Sequence, residues 1–382
     1  MTRTWLALLA AWRQAHGADL LPDFHFRGGP EDHFQLGFAM GRAYPDVIRS
    51  RVAAHMLQLK QLLEHERCQQ QFRALMSTHQ QLVPKLVEEL RGVGAGSGAK
   101  FEDLMAMSLQ EELGYCNATT ATSGRRSPDH CSDYMLCDSK HCFDAHNEDG
   151  NLEDRKLFTA FIQLGELNFT TLNYAGDLLG GMSAFAFNSL GLGFSLNWVG
   201  PSHCDVSSLG RNYVSRQLLA ARGWEEAKQI ISQKHAAGHN YQLMDFEARR
   251  ISNFEVALDQ VSEKVIRGAF FHANQYQTLD VQGQITGNSS LHRLQRVREL
   301  PLPSSPQDAL QILGDQEDRA YPIFHDLRSH QRGDQSDWTL ASVLFDLNQG
   351  TVELMLGNPK DAAVQRRFHV PVQRPFHVPM VV

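Results

Sequence analysis

The stretch HCSDYMLCDSKHCFDAHNEDG, from His130 to Gly150, holds three histidines, three cysteines and six carboxylates or amides. Metal coordination, a disulfide knot and covalent catalysis by one thiol are all chemistries such a set can perform. As a zinc site it would offer Cys131, Cys137, His141, Cys142 and His146. Structural zinc favours ligands paired as C-x2-C and H-x3-H, and these five are spaced otherwise, with neighbours on opposite faces of a strand. No metal is therefore expected, although a zinc-dependent interaction surface without catalysis stays open as an alternative.

Strand-forming residues flank a polar centre, which predicts a hairpin with a three-residue loop at 138–140. With Cys137 opposite His141, Cys131 falls opposite Asn147. Asp149 shares that face and lies diagonally across from Cys131, roughly 7 to 8 Å away. In this register a Cys137–Cys142 bridge is awkward, and both read as packing thiols. Cys131 sits where a polar linker becomes a strand. If the bond from His130 to Cys131 were cut, the thiol would stand beside a free α-amine of reference pKa about 7.7 to 8.0, a base suited to neutral pH. Nucleophile and base would then belong to one residue. Competing templates are missing: GLGFSL at 191 lacks the third glycine of a dinucleotide loop, and there is no G-x-S-x-G, Walker loop or H-E-x-x-H.

Apolar residues recur at helical spacing from Pro45 to Leu90, so the N-terminal third reads as helical. GVGAGSG at 92–98 reads as a flexible connector, Phe101 to Leu113 as helix, and TTATSGRRSPD at 119–129 as a linker. Beyond it, FTAFIQLGELNFTTLNYAG, GGMSAFAFNSLGLGFSLNWVG, NYQLMDFEARRISNFEVAL and WTLASVLFDLNQGTVELMLG read as strands and hairpins. Helices at Leu209–Arg222 and Trp224–His235 interrupt them. Helices segregated from strand runs predict an α+β fold with sheets covered on a face. The tail, with Phe-His-Val-Pro at 368 and again at 376, reads as an extended strap.

These segments, in this order, resemble the N-terminal-nucleophile family that contains acyl-CoA:6-aminopenicillanic acid acyltransferase, and most closely its β-alanyl-dopamine/carcinine hydrolase branch. The likeness runs from FRGGPEDHFQLGFAMGRAY to LFDLNQGTVELMLGNPKD and includes the hairpin, NYAGDLLGGMSAFAFNSLGLGFSLN, RNYVSRQLLAARGWEEAKQII, NFEVA, HANQY and NSSLHRLQR. It implies a four-layer αββα sandwich preceded by a largely helical segment. It also implies self-cleavage into a chain of residues 1–130 and a catalytic chain of 131–382. By the same resemblance Cys131 is the nucleophile, Asp149 the carboxylate that orients the new amine, Asn274 the oxyanion-hole amide and Arg293 an active-site cation. Two positions depart from the family: His130 stands where glycine is common, and His292 where serine is. Without the resemblance, Asp149 fits a turn before Gly150, Asn274 a strand-end amide, and Arg293 a solvated helix residue.

The implied activity is hydrolysis of a small N-acyl amine, such as a β-alanyl biogenic amine, through a thioester. A coenzyme A-dependent acyltransferase is the runner-up, with the coenzyme A thioester as a substrate and no resident cofactor in either case. Interleaved charges and a formal net charge of −7 over 382 residues leave no basic stripe for nucleic acid. No apolar run is long enough to span a membrane. Six cysteines are few for a disulfide scaffold, so a reducing, cytoplasmic location is expected. The apolar block after Met1 is a marginal signal segment, read as a surface helix, and Asn117, Asn168 and Asn288 open glycan-acceptor triplets.

Overall fold

The computed structural model describes residues 21–116, 131–182 and 185–371. His130, the 119–129 linker, the N-terminal apolar block and the second Phe-His-Val-Pro lie outside them. The chain opens with strand β1 (Asp23–Gly28), then helices α1 (His33–Ala43), α2 (Pro45–Leu63), α3 (Glu66–Leu82), α4 (Pro84–Ser97), α5 (Phe101–Ser108) and α6 (Gln110–Leu113). Pro45 and Pro84 open α2 and α4, where a missing N–H costs nothing. Strands β2 (Ser132–Cys137), β3 (Cys142–Gly150), β4 (Leu157–Leu164), β5 (Leu167–Tyr174), β6 (Ala186–Asn188) and β7 (Leu192–Asn197) follow, then helices α7 (Arg211–Leu218) and α8 (Trp224–Ile231). Next come β8 (Gly238–Asp245), β9 (Arg250–Ala257), β10 (Gln260–Val265), β11 (Gly268–His272), helices α9 (Asn288–Glu299), α10 (Pro306–Leu313) and α11 (Leu327–Arg332), and β12 (Trp338–Asp346), β13 (Thr351–Met355) and β14 (Val364–His369).

The strands form two sheets, ordered β1-β4-β5-β6-β7-β8-β9-β10 and β11-β2-β3-β12-β13-β14. Met135, Phe345 and Val343 of the six-stranded sheet share one apolar cluster with Leu172, Phe185 and Met244 from the eight-stranded sheet side. A second cluster joins α1–α5, α7 and α8 to the eight-stranded sheet through residues such as Leu90, Leu104, Phe158 and Val214. A third places Leu294, Leu310 and Leu313 of α9 and α10 against Leu136, Phe143 and Ala145. No helix among the described residues is long and apolar enough to cross a membrane.

Four expectations change. The glycine run at 92–98 is no connector, because α4 continues to Ser97 and ends at Gly98 with φ +78°. Those glycines exist for contact: a Cβ on Gly92 would fall 2.1 Å from Phe34 O in α1, and one on Gly37 would fall 1.8 Å from Glu89 O in α4. The short strand β1 was not foreseen; it pairs in parallel with β4 and so brings the N-terminal segment into the same sheet. The hairpin pairs Cys137 with Cys142, one residue off the expected register. Asp138 sets this turn, its Oδ1 accepting the N–H groups of Lys140 at 2.7 Å and His141 at 2.8 Å. Finally, Cys137–Cys142 and Cys68–Cys116 are disulfides, so these residues are not packing thiols. With two bridges in place, the cysteine count no longer argues for a reducing, cytoplasmic location, since such bridges persist in oxidising compartments.

Candidate active site

Cys131 and Cys204 are the free thiols among the described residues. Cys131 is buried just ahead of β2, with φ +46°, a left-handed conformation that few residues besides glycine adopt. The one-residue register shift decides what faces it. Ser132 pairs with Asn147, so the residue next to be paired is Glu148 rather than Asn147. Strand alternation then puts Asp144, His146 and Glu148 on one face of β3 together with Asp133 of β2, and Asn147 and Asp149 on the other.

The first face turns toward the eight-stranded sheet. The Cys131 thiol donates to Glu148 Oε2 at 3.6 Å, and the Tyr174 hydroxyl donates to Glu148 Oε1. His146 lies between two carboxylates, with Nδ1 2.9 Å from Asp133 Oδ1 and Nε2 3.1 Å from Glu148 Oε2. Burial disfavours its charge, but Asp133, Cys131 and Glu148 outweigh burial and raise His146 well above the ordinary imidazole value. A carboxylate oxygen at each nitrogen suits a ring that donates from both. Behind it, Ser195 Oγ is 2.7 Å from Asp133 Oδ1 and 2.8 Å from Asp144 Oδ2. Burial first, then the charge of Asp133, drive Asp144 well above the carboxylate range. Burial first, then Glu148, push the Cys131 thiol up to about 12. At neutral pH this sulfur is a thiol that needs a base.

The second face turns toward α9 and α10. Arg293, fully buried on α9, donates to the Cys131 carbonyl at 2.6 Å, Ser132 Oγ at 2.8 Å and Asn274 Oδ1 at 2.6 Å. Its Nε is held by Ser289 Oγ at 3.0 Å. The solvated-helix reading of Arg293 is thereby corrected. Asn274 follows β11; its backbone N–H bonds Ser290 Oγ at 3.0 Å and its amide donates to Trp198 O at 3.1 Å. Because Oδ1 is engaged by Arg293, the Asn274 amide acts as a donor through its nitrogen. Glu255 fixes this loop: its carboxylate accepts from His272 at 2.9 Å and from the backbone N–H groups of Gln277, Thr278 and Leu279 at 2.8 to 2.9 Å. Burial works against that carboxylate, but His272 and those N–H groups hold it below its ordinary value.

Asp149 lies 3% exposed, and neither carboxylate oxygen has a hydrogen-bond partner; His325 Nε2 is 3.8 Å from Oδ2. Burial raises its pKa against the pull of His325 and Arg293. The expected diagonal pairing of Asp149 with Cys131 across one face is therefore corrected, and Glu148 occupies that position. Cys131, Asn274 and Arg293 form one bonded unit, with Asp149 beside it. Glu148, Asp133 and Tyr174 were not foreseen and His146 only as a zinc ligand, although the alternation of Asp144, His146 and Glu148 in DAHNED carried the signal. A separate cavity of about 510 Å³, lined by His25, Phe161, Asn168 and Phe187 among others, contains none of these residues.

Two comparisons bear on this arrangement. The model of a family described as Acyl-coenzyme A:6-aminopenicillanic acid acyl-transferase matches residues 137–361. The chain is also similar to β-alanyl-dopamine/carcinine hydrolase of Drosophila melanogaster, 24% identical over 373 residues that cover 89% of this chain and 94% of the relative.

Proposed function

Because this chain belongs to the acyl-coenzyme A:6-aminopenicillanic acid acyltransferase family, whose members act on amides as hydrolases or acyltransferases, we propose that it is a self-processing cysteine amidohydrolase of small N-acyl amines. A β-alanyl amine is the substrate class that the Drosophila relative suggests. We read the helix, sheet, sheet and helix clusters as the four-layer αββα sandwich of N-terminal-nucleophile enzymes, with residues 1–130 and 131–382 as its two chains. The observation that carries the reading is Arg293, which bonds both the Cys131 carbonyl and Asn274 Oδ1 and so joins three distant residues at one free thiol.

In the precursor, Cys131 Sγ attacks the carbonyl carbon of His130, and the C–N bond breaks so that the thiol proton passes to the freed α-amine and a thioester forms. Water then cleaves the C–S bond to release the His130 acid and the Cys131 thiol. In the mature enzyme the amine takes the thiol proton, the sulfur attacks the substrate amide, and the proton passes to the leaving amine. Asn274 donates to the tetrahedral oxyanion, a contribution of about 3 to 4 kcal/mol for one such donor. Asp149, buried with His325 Nε2 3.8 Å from its Oδ2, receives the new ammonium. Arg293 holds the Cys131 carbonyl in place. Water then resolves the acyl-enzyme; an amine in its place makes the reaction a transfer.

Intact mass spectrometry tests this. The purified protein should give two species cut between His130 and Cys131, while Cys131→Ala should remain one inactive chain. An uncut chain whose activity survives Cys131→Ala would sink the proposal. Competing amine acceptors separate hydrolysis from coenzyme A-dependent transfer, since a transferase forms acyl-amine in preference to free acid.

A further inference from the structure

We propose that Cys131, His146 and Glu148 form a zinc site whose occupation withdraws the nucleophile from catalysis. Cys131, His146 and Glu148 each offer one donor atom, and these three atoms lie within 4.8 Å of one another. Two of the edges are 3.6 Å, sulfur to oxygen, and 3.1 Å, nitrogen to oxygen. Zinc bonds of about 2.3 Å to sulfur and about 2.0 to 2.1 Å to nitrogen or oxygen give tetrahedral edges of roughly 3.3 to 3.6 Å. The three donors thus stand close to the positions a bound ion requires, with a fourth position for water.

The surroundings favour the same use. Asp133 Oδ1 holds His146 Nδ1 at 2.9 Å, the carboxylate–histidine pairing that leaves Nε2 aimed at a metal. Tyr174 engages Glu148 Oε1 and leaves Oε2 for the ion. Cys137 and Cys142, which the sequence offered as ligands, are bridged to each other, so the set differs from the one that spacing suggested. On binding, the Zn–S and Zn–N bonds replace the thiol proton and the Nε2 proton. Cys131 is 5% and Glu148 8% exposed, so the ion enters at the rim of the cluster. These ligands do not depend on whether the His130–Cys131 bond is cut, and failure of the zinc site would leave the proposed activity standing.

The test uses full-length protein freed of metal with EDTA. Titration with zinc chloride, followed calorimetrically, should show one tight ion per chain, and cadmium should give a thiolate-to-metal ultraviolet band. Amide hydrolysis should fall as zinc fills the site and return on chelation. Glu148→Gln should weaken zinc binding at least about tenfold, Asp133→Asn about 10- to 100-fold, and Cys204→Ser should leave it unchanged. Thermal unfolding checks that each variant folds, and His146→Gln replaces Glu148→Gln if that variant does not. No cadmium–thiolate band in the unmutated protein, or zinc affinity in Cys131→Ala and Glu148→Gln unchanged from that of the unmutated protein, would overturn the proposal.

Discussion

At Arg293, contacts from Cys131, Ser132, Asn274 and Ser289 converge on one buried guanidinium. A planar fork can serve several acceptors at fixed angles where an ammonium cannot. The arrangement leaves Asn274 with its carbonyl oxygen taken by Arg293 and its amide nitrogen as donor. Asn274→Ala should therefore lower kcat by about 10² to 10³ while KM changes little, because the lost hydrogen bond forms to charge that exists only in the transition state. Steady-state kinetics on an N-acyl amine reads this, and an unchanged kcat would remove Asn274 from the chemistry. Of the residues in this network, Cys131 can be singled out from its place in the sequence, whereas Asn274 and Arg293 are named only through the family resemblance and read otherwise as a strand-end amide and a solvated helix residue. Glu148 could not be placed, because a one-residue error in register exchanges the two faces of β3 and hands its position to Asp149. The error arose at Asp138, whose side-chain bonds to Lys140 and His141 set the turn.

Among the elements, helices in the N-terminal third were legible from apolar periodicity, and α2, α3 and α5 lie where it predicts. The α1–α4 pair was legible only on one side. Gly37 and Gly41 in α1 have a spacing that fits close helix packing, but the matching Gly92 and Gly96 are hidden in a run that composition marks as a connector. Tertiary contact overrides propensity here: Gly92 meets Phe34 O at 2.1 Å and Gly96 meets Phe38 O at 2.3 Å from an added Cβ. Backbone cannot yield as a side chain does, so Gly37→Ala should cost about 1 to 3 kcal/mol or more through overpacking. Gly223→Ala, where an added Cβ meets nothing within 4 Å, is the control. Denaturant unfolding of both variants should separate them clearly. The strand β1 escaped notice because its six residues offer too little alternation to distinguish a strand from a loop, and its parallel partner is β4, far along the chain.

Over the whole molecule, acid stability rests in part on buried histidines. His79 accepts the Gly210 N–H on Nε2 at 2.9 Å and donates from Nδ1 to Leu75 O at 2.6 Å, which fixes a neutral ring between α3 and the start of α7. Burial lowers both His79 and His235 to about 4, against a backbone hydrogen bond that raises each. Their folded pKa values lie below the unfolded value of about 6.5, so the unfolded chain takes up protons first. Stability from these groups is complete above about 6.5 and declines as pH falls toward 4, by about 3 kcal/mol for each ring. His79→Gln with His235→Gln should flatten the fall in unfolding midpoint between pH 7 and pH 4.5, and an equal slope in the variant would refute this account.

The two disulfides have a further consequence. Cys68–Cys116 lies wholly before residue 130 and Cys137–Cys142 wholly after it, so neither covalent tie spans the proposed junction. Scission there would leave the pieces joined by the parallel β1–β4 pairing and the apolar layer beneath α1–α5. Opening would then release two separate polypeptides, and closing would be a second-order encounter that slows with dilution. A molecule made by one chain folding on itself would persist afterwards as an assembly, protected by how slowly it comes apart rather than by how readily it reforms.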